Sequence, residues 1–121
     1  MKPETKFYQK VKENFKKLSL IRIENLSVPG VPDLLIYNTN GRFFTLELKV
    51  TKTNKIRFSP HQIGFHVKHP KNTFILVACS LDKGKVCLYP GSGIMALHNF
   101  GLKLEPLACG LEDSVHLLES L

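Results

Sequence analysis

The chain has 121 residues, is 43% hydrophobic and carries a net charge of +7, which fits one globular domain over residues 1–121. No apolar run approaches the roughly 20 residues of a membrane span, and the opening "MKPETKFYQK" lacks the apolar stretch of a signal peptide. These features point away from a membrane partner and towards the cytoplasm. The charge is uneven: residues 1–89 hold 16 Lys/Arg against 6 Asp/Glu, and residues 90–121 hold one Lys against four acids. A basic body of this kind favours a polyanionic partner. Its cations are spread over several elements rather than along one amphipathic helix, which disfavours an anionic membrane surface.

Residues 3–18 read as a helix. Pro3 suits its first turn, and Phe7, Val11, Phe15 and Leu18 recur at helical spacing as a buried stripe. "LIRIE" (20–24) reads as a short strand, and "SVPGVP" (27–32) as a loop broken by prolines and a glycine. "DLLIY" (33–37) and "RFFTLELKV" (42–50) read as strands around the turn "NTNG" (38–41), so an antiparallel meander is expected. "TKTNKIRF" (51–58) is a basic loop. "SPHQIGFHVKH" (59–69) carries strong helix-start signals: Ser59 as N-cap, Pro60 at the first position, and Gln62 completing an S-x-x-Q capping box. "TFILVAC" (73–79) is apolar throughout and reads as a central strand, followed by a turn at 81–85 and a strand at 86–90. The helix at 59–69 crosses between two strands, which predicts that they run parallel. Short helices are expected near 93–99 and 112–120.

The fold class is therefore α/β, with a central mixed sheet flanked by helices. The three cysteines, Cys79, Cys87 and Cys109, are an odd number without a C-x-x-C pattern and read as reduced, mostly buried thiols. Together with His98 they match no familiar zinc-ligand spacing.

Alternate residues of a strand share a face. In 42–50, Phe44, Leu46, Leu48 and Val50 form a purely apolar face, and Phe43, Thr45, Glu47 and Lys49 form the other. Glu47 and Lys49 therefore point the same way, roughly 6.6–6.8 Å apart along the strand. Asp33 opens the preceding strand, and a hairpin register exists that sets it beside Glu47. Two carboxylates with an ammonium alongside suit phosphodiester hydrolysis. Hard oxygen ligands take Mg²⁺, and a lysine there orients the attacking water and offsets developing charge. By spacing alone, the same residues read more readily as the solvated face of an amphipathic strand, with Asp33 capping a turn.

The ordered set of motifs reverses that balance. "GVPDLLIY" followed by "FFTLELKV", with Glu47 14 positions after Asp33, resembles the Pro-Asp…Glu-x-Lys signature of the PD-(D/E)XK nuclease superfamily. With "RIENLSVPGVPD" before it and "SPHQIGFHV" after it, the chain most resembles the VRR-NUC group, related phage endonucleases and Holliday-junction resolvases. The resemblance covers about residues 4–79, the motif core extends to about residue 90, and residues 91–121 stand as a C-terminal extension.

The resemblance implies a restriction-endonuclease-like core and a Mg²⁺- or Mn²⁺-dependent deoxyribonuclease. It would be structure-selective and serve phage or viral replication, recombination or repair, in the host cytoplasm. Asp33 and Glu47 would ligate the metal with the main-chain carbonyl of Leu48. Lys49 would be the catalytic lysine, and Gln62 would support the site, which does not conflict with its capping role. A further acid is expected near the first helix. Glu4, which borders the buried stripe, is preferred over Glu13, and Glu24 is another candidate. DNA contacts, to branched or nicked substrates among others, fall on Lys52, Lys55, Arg57, Ser59 and His61, with Lys68 and Lys71 farther along. His66 reads as a helix-face residue rather than a ligand. Backbone contacts of this kind imply recognition of shape with strong salt dependence. Symmetric cutting of a branched substrate would require a homodimer, for which Ile94, Met95, Leu97 and Phe100 offer apolar surface, although the same residues read more readily as core. The alternative function is a non-catalytic nucleic-acid-binding module on a nuclease-like fold.

Overall fold

The computed structural model describes residues 2–24, 27–80 and 85–121. Its elements are α1 (Pro3–Asn14), β1 (Ser19–Arg22), β2 (Leu34–Tyr37), β3 (Phe43–Thr51), α2 (Pro60–Lys68), β4 (Thr73–Cys79), β5 (Val86–Pro90), α3 (Ile94–Phe100), β6 (Ala108–Cys109) and α4 (Leu111–Glu119). The strands form one six-stranded sheet in sequential order, antiparallel everywhere except β3–β4. The expected crossover is present: α2 carries the chain from β3 to the parallel β4. The expected turn at 81–85 lies largely outside the described residues.

Strand alternation sorts the core into two layers. Phe44 and Leu46 of β3, Leu34 and Ile36 of β2, Leu76 of β4 and Leu88 of β5 pack beneath α1 and α4, which contribute Phe7, Val11, Val115 and Leu118. The opposite face, with Ile75, Val77 and Tyr89, packs beneath α2 and α3, which contribute Ile63, Ile94 and Leu97. Truncating a fully buried leucine such as Leu46 should cost about 2–5 kcal/mol. Glu47 and Lys49, one step out of phase with Leu46, belong to the α2 side.

The first helix ends at Asn14, four residues before the expected Leu18. Asn14 turns its amide onto the Lys10 carbonyl, and Phe15 leaves helical geometry as the cap. Phe15 and Leu18 are nevertheless buried, because the turn after the helix folds them onto the same layer. Residues 91–121, which the sequence left as an extension, complete the domain. A two-residue strand, β6, joins β5, and Val115 and Leu118 of α4 enter the core. Ile94 and Leu97 are core, whereas Met95 and Phe100 are exposed. Asn38, in the hairpin turn, donates to the carbonyls of Leu118 and Leu121 and accepts from the main-chain N–H groups of Asn40 and Arg42. One side chain thus closes the β2–β3 turn and fastens α4. Cys79 and Cys87 are buried and Cys109 exposed, all as free thiols. Among the described residues, no helix is long and apolar enough to cross a membrane.

Candidate active site

The β2–β3 register decides whether the three charged residues meet. Leu34 pairs with Leu46 and Ile36 with Phe44, so Asp33, one residue earlier, falls opposite Glu47. Ile23 N–H donates to the Asp33 carbonyl at 3.0 Å, which continues the β1–β2 ladder past the formal strand end. The preceding loop is held close to α2. Gly30 has φ +87°, and a Cβ there would stand 2.4 Å from the His61 carbonyl oxygen. Only glycine allows this approach, which fixes the chain three residues before Asp33.

Asp33 accepts a hydrogen bond from the Leu48 main-chain N–H at 2.8 Å and lies in hydrogen-bonding contact with the Glu47 carboxyl. Glu47 is only 2% exposed. Burial, then the neighbouring Asp33, push its pKa up to about 8, against the opposing pull of Lys49. Burial also raises the Asp33 carboxyl, with the Leu48 N–H working in the other direction. Two adjoining carboxyls cannot both ionise cheaply, which is why Asp33 raises Glu47.

Gln62 ties the rest together. Its Nε2 donates to Glu47 Oε2 at 3.2 Å, and its Oε1 accepts from Lys49 Nζ at 2.9 Å and from Ser59 N–H at 2.9 Å. Ser59 Oγ in turn accepts from Gln62 N–H at 3.1 Å, so the capping box is complete. The two roles expected of Gln62 are one geometry: the amide that caps α2 also holds Lys49 and Glu47. Lys49 Nζ lies over the Phe58 ring, 5.2 Å from its centroid. One turn along α2, His66 is fully buried, with Nδ1 donating to the Gln62 carbonyl at 2.8 Å; among the described residues Nε2 finds no partner. Burial lowers its pKa, so this is an inward-facing neutral imidazole.

On the other side of Asp33 is a hollow of about 190 Å³, lined by Glu4, Tyr8, Arg22 and Glu24 together with Asp33 and Leu48. Both acids nominated near the first helix face it. Glu24 is ion-paired to Arg22 at 3.2 Å on the exposed rim, and Arg22 lies over the Tyr8 ring, 4.8 Å from its centroid. Glu13 is exposed and is not a wall of the hollow. Glu47, Lys49 and Gln62 are not walls of it either, so Asp33 and Leu48 are the residues common to both halves of the site. The pairing of Arg22 with Tyr8 here escaped the sequence reading, because it joins β1 to α1 and no pattern within either segment signals it.

The donor set is all oxygen, and its two adjoining carboxyls, Glu47 buried and Asp33 half-buried, gain from any cation that offsets their mutual repulsion. It therefore fits a hard divalent ion. Among the described residues, no three His, Cys, Asp or Glu side chains stand close enough to hold one ion. Asp33 and Glu47 form the converged pair, and water and substrate oxygens would complete a Mg²⁺ shell.

The basic segment between β3 and α2 alternates. Ile56 and Phe58 are buried, while Lys55 and Arg57 face out. Lys52, Ser59 and His61 are also exposed, as are Lys68 and Lys71. The segment is pinned by Thr51 Oγ1 donating to the Lys55 carbonyl and by Lys55 N–H donating to Thr53 Oγ1. Compared with family models, with curated proteins and with solved structures, the chain matches none. Its architecture is α/β, a six-stranded mixed sheet flanked by helices.

Proposed function

We propose that this chain is a Mg²⁺- or Mn²⁺-dependent deoxyribonuclease of the restriction-endonuclease-like kind, hydrolysing phosphodiester bonds in DNA of particular structure. The observation that carries the reading is the bridged cluster: Asp33 against Glu47, Glu47 to Gln62, and Gln62 to Lys49. A surface strand face has no need of a buried carboxyl against a half-buried one, with a lysine held by the amide that binds the first.

In this reading Asp33, Glu47 and the Leu48 carbonyl would hold the ion, which would supply a more acidic bound water and offset negative charge at the scissile phosphate. Lys49, kept in place by Gln62 and Phe58, presents its ammonium to the attacking water and to the charge that builds on the phosphate oxygens. Gln62 fixes the spacing between Lys49 and Glu47 and takes no proton. Lys52, Lys55, Arg57, Ser59 and His61 line the outer side of one continuous segment. They suit phosphate contacts that set position without reading sequence, with the N-terminus of α2 adding its partial positive charge.

The test incubates supercoiled plasmid, linear duplex, flap and four-way-junction DNA with Mg²⁺ or Mn²⁺. Wild type should cleave at least one of them, and Asp33→Ala and Lys49→Ala should not. Cleavage surviving both substitutions removes the site assignment. Binding without cleavage of any substrate moves the assignment to a non-catalytic nucleic-acid-binding module.

A further inference from the structure

A cleft of about 500 Å³ lies beyond the C-terminal end of β3, between the basic segment and the end of α3, and within the size range of small-ligand sites. Its walls are Thr53, Asn54 and Lys55 on one side and Asn99, Phe100 and Lys103 on the other. Phe100 is 62% exposed, the largest exposure among the large hydrophobic residues described. An aromatic ring left in water between two lysines and two side-chain amides has the chemistry of a base-stacking platform. Any nucleobase offers a π-face to the ring, and the ammonium groups suit the flanking phosphates.

The cleft is built on fixed backbone. Leu102 N–H donates to the Asn54 carbonyl at 2.8 Å. Gly101, at φ +62°, lies so near that a Cβ there would stand 2.0 Å from the same oxygen. The two walls therefore meet main chain to main chain. Lys49 of the candidate active site lies over the Phe58 ring, which is 6.4 Å from the His98 ring on α3, the helix that ends at Phe100.

We propose that this cleft receives an unpaired base of the nucleic-acid substrate, stacked on Phe100, with Lys55 and Lys103 on the adjacent phosphates. The inference rests on a nucleic acid being the ligand, and it supplies a physical reason for preferring branched or frayed DNA over continuous duplex. A base still paired in a duplex has both faces covered and cannot lie on the ring without being flipped out.

Binding is measured in EDTA, where no cleavage occurs, by fluorescence anisotropy of a short single-stranded oligothymidylate and of a matched duplex. Phe100→Ala should weaken the single strand by about 5- to 150-fold and the duplex by less than about twofold, while Phe100→Tyr should retain the affinity for the single strand. Phe100 is exposed, so its truncation should leave the fold intact, and far-UV circular dichroism of each variant checks this. The chain has no tryptophan, so Phe100→Trp gives a single reporter whose emission should be quenched by the single strand. Equal loss on both probes, unquenched emission at saturation, or no binding of either probe by wild type overturns the proposal. So does a change of oligomeric state in Phe100→Ala with single-strand affinity intact, since the ring would then be a contact between copies. Failure of the catalytic reading appears separately, in the Asp33→Ala cleavage assay, and leaves this measurement untouched.

Discussion

Replacing Glu47 with glutamine should make the protein more stable at alkaline pH and, if the proposed nuclease reading is right, should abolish cleavage. Glu47 has an ordinary value of 4.5 and is pushed up to about 8 in the folded chain, by burial and then by Asp33. A folded acid with a raised pKa holds a proton that the unfolded chain has released. Its contribution to stability is complete below pH 4.5 and is lost as the pH rises through about 8. The loss approaches about 1.4 kcal/mol per pH unit within that window, and about 4 kcal/mol by pH 8. Glutamine has nearly the same shape. Its carbonyl can accept from Gln62 and its amide can donate to Asp33, so the neutral side chain keeps both contacts without titrating. Charged groups acting on the site, Asp33, Lys49 and Glu24, remain in the variant. Urea unfolding in EDTA at several pH values between 4.5 and 8.5 provides the assay. The stability of Glu47→Gln relative to wild type should rise by about 4 kcal/mol from the acid to the alkaline end. A difference that stays constant with pH would refute the reasoning, because Glu47 would then be ionised throughout. If a divalent cation takes the place of the proton, adding Mg²⁺ at pH 8 should raise the melting temperature of wild type and leave Glu47→Gln unmoved.

The Gln62 bridge predicts a separation of effects. Ser59→Ala removes the Oγ half of the capping box and should cost about 1 kcal/mol in urea unfolding while leaving the Lys49–Gln62–Glu47 bridge in place, whereas Gln62→Ala removes the other half of the box together with that bridge and should reduce cleavage far more. Gly101→Ala puts a Cβ 2.0 Å from the Asn54 oxygen at a positive φ. It should lower the melting temperature well beyond Gly41→Ala, whose φ is also positive but whose Cβ would meet nothing within 4 Å. In DNA titrations at increasing salt, Lys55→Ala and Arg57→Ala should each reduce the slope of log K against log salt by about one, if each meets a phosphate. An unchanged slope assigns that side chain to open solvent.

Much of the site was legible because it depends on local rules. Strand alternation put Glu47 and Lys49 on one side, and the short "NTNG" turn limited the registers that set Asp33 beside them. The Ser59–Gln62 spacing announced the start of α2. What stayed hidden depends on chain meeting chain at long range. "NTNG" read as a turn and nothing more, yet Asn38 also holds the carbonyls of Leu118 and Leu121, some 80 residues away. The two-residue β6 is too short to show a period. The end of α1 was misread because Phe15 and Leu18 keep the helical spacing of buried residues after the backbone has left the helix. Gln62's contact with Lys49 requires α2 to lie across β3, which no pattern within either segment specifies.

That contact also has a dynamic consequence. The first turn of a helix is the part most prone to open, and its openings are local events far cheaper than global unfolding. Whenever the first turn of α2 frays, the Gln62 side chain leaves, and Lys49 and Glu47 lose their common tether in the same instant. The organised fraction of the site can therefore be no greater than the closed fraction of that turn. Hydrogen exchange at the Gln62 and Ile63 amides would report on both together.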